Sequence, residues 1–94
     1  MTDDATSYFS GTRAAALTHL QNLGHTPTGW YKIAKLPDEA ATLFTSSDLT
    51  DGEAKTRCRH QRVICADGSN GTATTCWTTH DDYVEEWSAS TCDN

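Results

Sequence analysis

The sequence predicts a small α+β domain in which an N-terminal helix packs on a three-stranded, mostly antiparallel sheet, with short additional helices. Three observations lead to this class. Apolar residues recur at helical spacing between residues 9 and 23, β-branched threonine dominates residues 72–80, and a glycine-rich turn precedes that segment. Ninety-four residues provide one core, so we expect a single domain over 1–94 with a loosely ordered tail at 88–94.

The N-terminal helix is the first predicted element. Its buried stripe consists of four apolar residues: Phe9, Ala16, Leu20 and Leu23. Ser10 or Thr12 can cap its start, because a side-chain oxygen there accepts from a free backbone N–H. Gly24 stands where a left-handed residue commonly ends a helix.

Two short elements follow. Residues 30–36 alternate aromatic, basic and β-branched side chains, which favours a strand over a helix. Pro37, followed by two acids, predicts the first turn of a short helix that ends near Phe44, because proline and negative charge both suit a helix N-terminus.

The segment that precedes the glycine-rich turn has two interpretations. Thr50 and Glu53 match a capping box, which would begin a helix there. The strand-forming segment at 72–80 needs a partner, however, and the nearest candidate is the residue run before the turn. We therefore predict a strand over 56–65 that pairs with 72–80.

A final short helix is predicted from Asp82, since Tyr83 and Trp87 lie four apart on one face. The large apolar residues of all these elements make up the expected core. That core comprises Phe9, Leu17, Leu20, Leu23, Ile33, Leu43, Phe44, Ile64 and Trp77.

Two dipeptides compete for the turn between the paired strands, Asp67-Gly68 and Asn70-Gly71. Both suit a two-residue type I′ loop, and the choice fixes which residues face each other across the hairpin. We favour the Asn-Gly turn because it places Ile64 opposite Trp77, a β-branched residue opposite an aromatic one.

The same register decides what two of the cysteines can do. With the Asn-Gly turn Cys65 lies opposite Cys76, so a Cys65–Cys76 disulfide becomes available; with the Asp-Gly turn the two thiols do not meet. The favoured interpretation is free, buried thiols. The spacing lacks the short cysteine pairs of zinc fingers, and only a mixed set remains open, namely Cys65, Cys76, His80 and Cys92. We predict no metal and no cofactor.

Net charge narrows the partner class. The formal charge is −6, which disfavours a nucleic-acid binder and suits a protein that docks onto a basic surface. No apolar run approaches the roughly 18 residues of a membrane span, so no membrane partner is expected. The acidic, polar start is unlike a secretory signal and favours a cytoplasmic protein, unless the chain is the processed form of a secreted one.

Two charged clusters are the candidate partner-binding residues. One is basic: Arg57, Arg59 and Arg62 within the segment 55–62. The other is acidic: Asp81, Asp82, Glu85 and Glu86. Mutual neutralisation within the fold is the simpler interpretation of both clusters, and contact with a charged partner is the functional one.

We expect a small acidic non-enzymatic protein-binding module, a regulator or inhibitor of a basic, nucleic-acid-handling partner such as phages and mobile elements encode. One alternative is a winged helix-turn-helix DNA binder that uses the basic segment 55–62. Another is a secreted, disulfide-stabilised domain. Catalysis would need a cysteine beside His60 or His80, and no established catalytic motif supports it, so no enzyme is predicted.

Overall fold

The computed structural model describes residues 6–44, 54–80 and 82–93. One five-stranded antiparallel sheet forms its centre. The strands are β1 (Thr6–Gly11), β2 (Tyr31–Ile33), β3 (Lys55–Ile64), β4 (Asn70–Thr79) and β5 (Val84–Ser90), in the spatial order β1-β3-β4-β5-β2. The helices are α1 (Arg13–Asn22) and α2 (Asp38–Ala41), and a 3₁₀ turn spans Thr91–Asp93.

The predicted three-stranded sheet is wrong, although the class remains broadly α+β. Residues 6–11 form β1, where the helical stripe was extended too far towards the N-terminus. Residues 84–90 form β5, where a helix was predicted from Asp82. Both segments pair along their length with the central hairpin of β3 and β4. The hydrogen bonds of these pairings override local propensity, which is weak for short segments.

Helix α1 begins and ends where its capping residues predict. Thr12 is the N-cap, and its hydroxyl accepts from the backbone N–H of Ala15 at 3.1 Å. Gly24, just past the C-terminus, adopts a φ of 93°, which glycine tolerates without strain. Phe9 is not part of this helix; it lies in β1 and packs beside it.

Cys65 and Ser69 continue the pairing of β3 with β4, so the loop between them has three residues, 66–68, and neither predicted two-residue turn is formed. The N–H of Cys65 donates to the carbonyl of Ser69 at 2.8 Å, and Gly68 takes the left-handed position with a φ of 88°. Asp67 accepts from the hydroxyl of Ser69 and from its backbone N–H, and these bonds, the hydroxyl bond most, lower the pKa of the Asp67 carboxyl. These local bonds favour the longer loop.

The position of this loop, centred on Asp67 rather than on Asn70-Gly71, overturns the predicted register. Ile64 lies opposite Asn70 rather than Trp77, and Trp77 lies opposite Arg57. Because side chains alternate between faces, this shift decides which of them are buried: Trp77 is fully buried, whereas Ile64 is 68% exposed.

The sheet has a helix face and an opposite face, each with its own core cluster. On the helix face, Leu20 of α1 packs against Cys58, Cys76 and Trp87. The segment around α2 covers part of the opposite face. That second cluster comprises Ala40, Phe44, Trp77 and Val84, with Ile33, Leu36 and Leu43 packed against it.

The predicted core is confirmed in part. Leu20, Phe44 and Trp77 are buried, and three others are partly buried: Phe9, Ile33 and Leu43. Leu17 is also only partly buried, while Leu23 is 39% exposed and therefore stays outside the core with Ile64. Ile64 was placed by assuming a register that the structure does not have, whereas Leu23 is the C-cap residue at the end of α1.

All four cysteines form disulfides, Cys58–Cys76 and Cys65–Cys92. Neither the predicted free thiols nor the Cys65–Cys76 pairing is found. The register of β3 and β4 places Cys58 directly opposite Cys76, and both are fully buried. The bridge to Cys92 fastens the C-terminal turn, within the segment expected to be a loose tail, to the hairpin loop.

Gly71 lies beneath the Cys65–Cys92 bridge. A β-carbon at this position would stand 2.9 Å from the sulfur of Cys65 and 2.7 Å from that of Cys92. Because those approaches are closer than real β-carbons make, a residue with a side chain here would displace the bridge.

Candidate functional site

Four polar side chains form a continuous hydrogen-bonded chain between α1 and the helix face of the sheet. His25 Nε2 lies 3.0 Å from the hydroxyl of Thr74, and the same hydroxyl lies 2.7 Å from His60 Nδ1. His60 Nε2 in turn lies 2.9 Å from His19 Nε2. We call His19, His60, Thr74 and His25 the histidine relay.

Three elements bring the relay together. His60 and Thr74 face each other in the register of β3 and β4. His19 sits in the last turn of α1, where its ring stacks on Phe9 with centroids 4.4 Å apart. His25 follows the end of the helix and meets the edge of Trp87. Helix capping and strand register together therefore determine the geometry.

The relay has two ways to distribute its hydrogens. Each of its three contacts needs one hydrogen, and the Thr74 hydroxyl can donate to only one imidazole at a time. If it donates to His25, then His60 donates back to Thr74 and His19 donates to His60; the reverse order satisfies every contact equally. A doubly protonated His60 facing a protonated His19 nitrogen would instead oppose two N–H groups.

Burial favours the neutral form of two relay imidazoles, His60 and His25, near pH 7. Desolvation is the main cause that lowers the pKa of His60 from 6.5 to about 4, and the neighbouring His19 and His25 lower it further. Burial, followed by the charge of His19, also lowers the pKa of His25. Thr74 is only 1% exposed, so its hydroxyl is no accessible nucleophile. The relay holds α1 against the sheet, and its imidazoles can hold or pass a proton.

Replacing Thr74 with valine is expected to lower the free energy of unfolding by about 2 kcal/mol, because two buried imidazoles then lose a hydrogen-bond partner. Thr79→Val is the matched control: Thr79 is also buried, and its hydroxyl has no partner among the described residues. We expect that change to be nearly neutral. Urea unfolding of both variants measures the difference, and equal losses would argue against the relay.

A second polar cluster surrounds Glu85 at the other end of α1. One oxygen of Glu85 accepts from Arg13 and from His80, each at 2.8 Å. The hydrogen bond from Arg13 is the largest cause that lowers the pKa of Glu85. The guanidinium of Arg13 also lies 3.9 Å from the ring centroid of Trp30. Glu85 is thus committed to contacts within the fold.

The structure does not gather the predicted acidic cluster into one surface. Glu86 points to the opposite face from Glu85, where it accepts from the indole N–H of Trp77 at 2.7 Å and from the hydroxyl of Tyr31. Asp82 is exposed. Asp81 lies outside the described residues. Of the three acids of this cluster in the described ranges, only Asp82 is exposed.

The predicted basic cluster is divided between the two faces of β3. Arg57 and Arg59 lie on the opposite face, whereas Arg62 lies on the helix face and is exposed. Arg59 approaches Glu39 at 3.5 Å, and Arg57 lies 5.3 Å from the ring centroid of Phe44. The winged-helix alternative required a helix here and is wrong, because β3 spans Lys55–Ile64.

The thiol-dependent alternatives also fail. A cysteine nucleophile beside His60 or His80 needs a free thiol, and a mixed zinc set needs thiolates, but every cysteine is bonded to another. Of the relay, the sequence singled out only His60. His19 lies 41 positions from His60 and His25 lies 49 positions from Thr74, and nothing in that spacing links them.

No family model matches the chain, no curated protein shows significant sequence similarity to it, and no solved structure matches its fold significantly. Within the described ranges, no helix is long and apolar enough to cross a membrane.

Proposed function

We propose that this chain is a disulfide-stapled, non-enzymatic binding module that works in an oxidising compartment and regulates or inhibits a basic partner protein. The pairing of all four cysteines is the observation that carries the proposal. Cytosolic thiols are normally kept reduced, whereas small secreted domains use disulfides to supplement a limited core. The bridges therefore favour the secreted alternative over the cytoplasmic expectation.

The acidic charge of the chain supports a basic partner, and the contacts of Glu85 and Glu86 within the fold indicate that other acids bind it. The chain has thirteen acids against seven Lys and Arg. Several acids lie close together in the sequence: Asp3 and Asp4 are adjacent, Asp48, Asp51 and Glu53 fall within six positions, and Asp81 follows later. We propose these acids, rather than Glu85 and Glu86, as the contact for a basic surface, since the latter two are engaged within the fold.

The compartment is tested by the mass of the protein isolated from its source with thiols blocked at harvest. We expect a chain four hydrogens lighter than the fully reduced one, since each bridge removes two hydrogens. Recovery of four alkylated cysteines from the native protein would overturn the oxidising-compartment proposal.

Affinity capture on the oxidised chain tests the partner. We expect a basic protein to bind at low salt and to elute as salt screens the contact. The variant D48N/D51N/E53Q should lose binding of the basic protein. The control D38N/D82N, which changes two exposed acids outside the proposed contact, should retain binding. Capture that persists in high salt, or that both variants retain equally, would contradict an acidic contact.

A further inference from the structure

A motif for N-linked glycosylation lies at the start of β4. Asn70, Gly71 and Thr72 match the acceptor pattern Asn-x-Ser/Thr, in which x is any residue except proline, and this is the only match in the sequence. The pattern has a function only in a chain that enters a secretory compartment. A role for this motif therefore rests on the oxidising compartment proposed for the chain.

Asn70 is exposed beside the hairpin loop. It is the first residue of β4 and directly follows Ser69, whose carbonyl closes the loop by accepting from the N–H of Cys65 at 2.8 Å. An exposed side chain at this place can carry a bulky, hydrophilic group without displacing the core.

The two faces of the hairpin have different surroundings at this motif. Gly71 faces the Cys65–Cys92 bridge so closely that a β-carbon there would meet both sulfurs. Because side chains alternate along a strand, the side chain of Asn70 belongs to the helix face, away from the bridge. The bridge and a group attached to Asn70 therefore do not compete for space.

Ile64 lies directly opposite Asn70 on β3. Cys65 is hydrogen-bonded to Ser69, so the next pair, Ile64 and Asn70, is a non-hydrogen-bonded one, in which the side chains come closest. The β-carbons of such pairs are about 4.5–5.5 Å apart, so a sugar attached to Asn70 can reach Ile64. Ile64 is 68% exposed, and the sugar would therefore meet an apolar side chain that is otherwise in water.

We propose that Asn70 carries an N-linked oligosaccharide whose first sugar covers Ile64. The donor is an oligosaccharide on a lipid pyrophosphate, and the amide nitrogen of Asn70 attacks its anomeric carbon. A nitrogen–carbon bond forms while the bond from that carbon to the pyrophosphate oxygen breaks. The pyrophosphate leaves with the bonding electrons, and the amide gives one proton to a base of the transferase. The carbon–hydrogen face of the sugar then removes apolar surface of Ile64 from water.

Transfer precedes closure of the fold around the motif. In the folded chain the N–H of Thr72 donates to the hydroxyl of Thr91 at 2.9 Å, and the Cys65–Cys92 bridge lies over Gly71. A transferase must bind the motif as an unpaired segment, so the acceptor reacts before the C-terminal turn packs on the hairpin. The oligosaccharide is therefore acquired during folding.

Protein isolated from its source with thiols blocked at harvest tests the modification. Peptide N-glycosidase should lower the mass by one oligosaccharide and, in heavy-oxygen water, label the tryptic peptide 63–94 at position 70. Paired cysteines with an unmodified Asn70 would overturn this inference alone. Recovery of four alkylated cysteines would instead overturn the proposed compartment.

Matched variants assign the modification to the motif. The full chain is expressed behind a secretory leader in a glycosylating eukaryotic host. T72V removes the hydroxyl of the pattern but keeps the shape of the side chain, so it should lose the oligosaccharide, as should N70Q. T72S keeps the pattern and should retain the oligosaccharide. Modification of T72V to the wild-type extent would contradict the assignment.

NMR of the glycosylated chain tests the contact with Ile64. Removal of the oligosaccharide should shift the methyl resonances of Ile64. Val63 is the matched control, because it lies opposite Gly71 on the other face and its methyl resonances should stay in place. Equal shifts at the two residues, or no shift at Ile64, would refute the contact.

Discussion

Replacing Cys58 and Cys76 together by alanine is expected to lower the free energy of unfolding by about 5 kcal/mol. Their bridge closes a loop with a sequence separation of 18, and releasing it restores about 3 kcal/mol of chain entropy to the unfolded state. Both residues are fully buried, so the lost sulfur atoms also leave a cavity beside Leu20 and Trp87. The expected loss is a large share of the roughly 5–15 kcal/mol that stabilises a typical domain.

The matched control is C65A/C92A. Its separation of 27 gives a similar entropic contribution of about 3.5 kcal/mol, but its sulfurs are only partly buried and leave no core cavity. Guanidinium unfolding followed by far-UV circular dichroism measures both variants. If C58A/C76A does not fold, stepwise reduction of the wild-type protein provides the comparison, and Cys65–Cys92 should open first. A smaller loss for C58A/C76A than for C65A/C92A would contradict the buried role.

Acidification from pH 6.5 towards pH 4 is expected to destabilise the protein by roughly 3 kcal/mol through His60 alone. The pKa of His60 falls from 6.5 to about 4 on folding. Between these pH values, therefore, the unfolded chain is protonated at His60 while the folded chain is not. Stability is therefore complete above pH 6.5 and is lost as the pH falls to about 4. His25, whose pKa is also lowered, adds a loss of the same sign.

Carboxylates lose their contribution at lower pH, which separates the two effects. Folding lowers the pKa of Glu85 and of Asp67 below their ordinary values of 4.5 and 3.8, so their contributions disappear only as the pH falls below those values. A slope of stability with pH between 5 and 6.5 therefore reports the histidines.

Urea unfolding at several pH values measures this slope, and His60→Gln should flatten it, since glutamine does not titrate but retains hydrogen-bonding groups. Direct titration of the His60 ring by NMR in the wild-type protein gives an independent result if that variant folds poorly. An apparent pKa for His60 near its ordinary value of 6.5 would refute the burial argument.

These two expected effects concern the same face of the sheet. The buried Cys58–Cys76 bridge joins β3 to β4. The relay holds α1 on the same two strands through the His60–Thr74 pair, two residues further along each strand. The folded state of this domain therefore depends on an oxidised Cys58–Cys76 pair and on neutral relay imidazoles. Both dependences can be measured without knowing the partner.

The sequence by itself determined the features that depend on neighbouring residues. Thr12 and Gly24 bound helix α1 because a cap and a left-handed residue act within a single turn. The threonine-rich run predicted β4, and its need for a partner predicted β3, to within about two residues. The broad α+β class followed from these elements.

Only the tertiary structure decided the features that depend on pairing. The loop is centred on Asp67 rather than on Asn70-Gly71, and this position of the turn places Cys58, not Cys65, opposite Cys76. β1 and β5 exist because the central hairpin offers them hydrogen bonds, not because their own sequences demand extension. The relay joins His25 to Thr74 across 49 positions, a contact that no local spacing can encode.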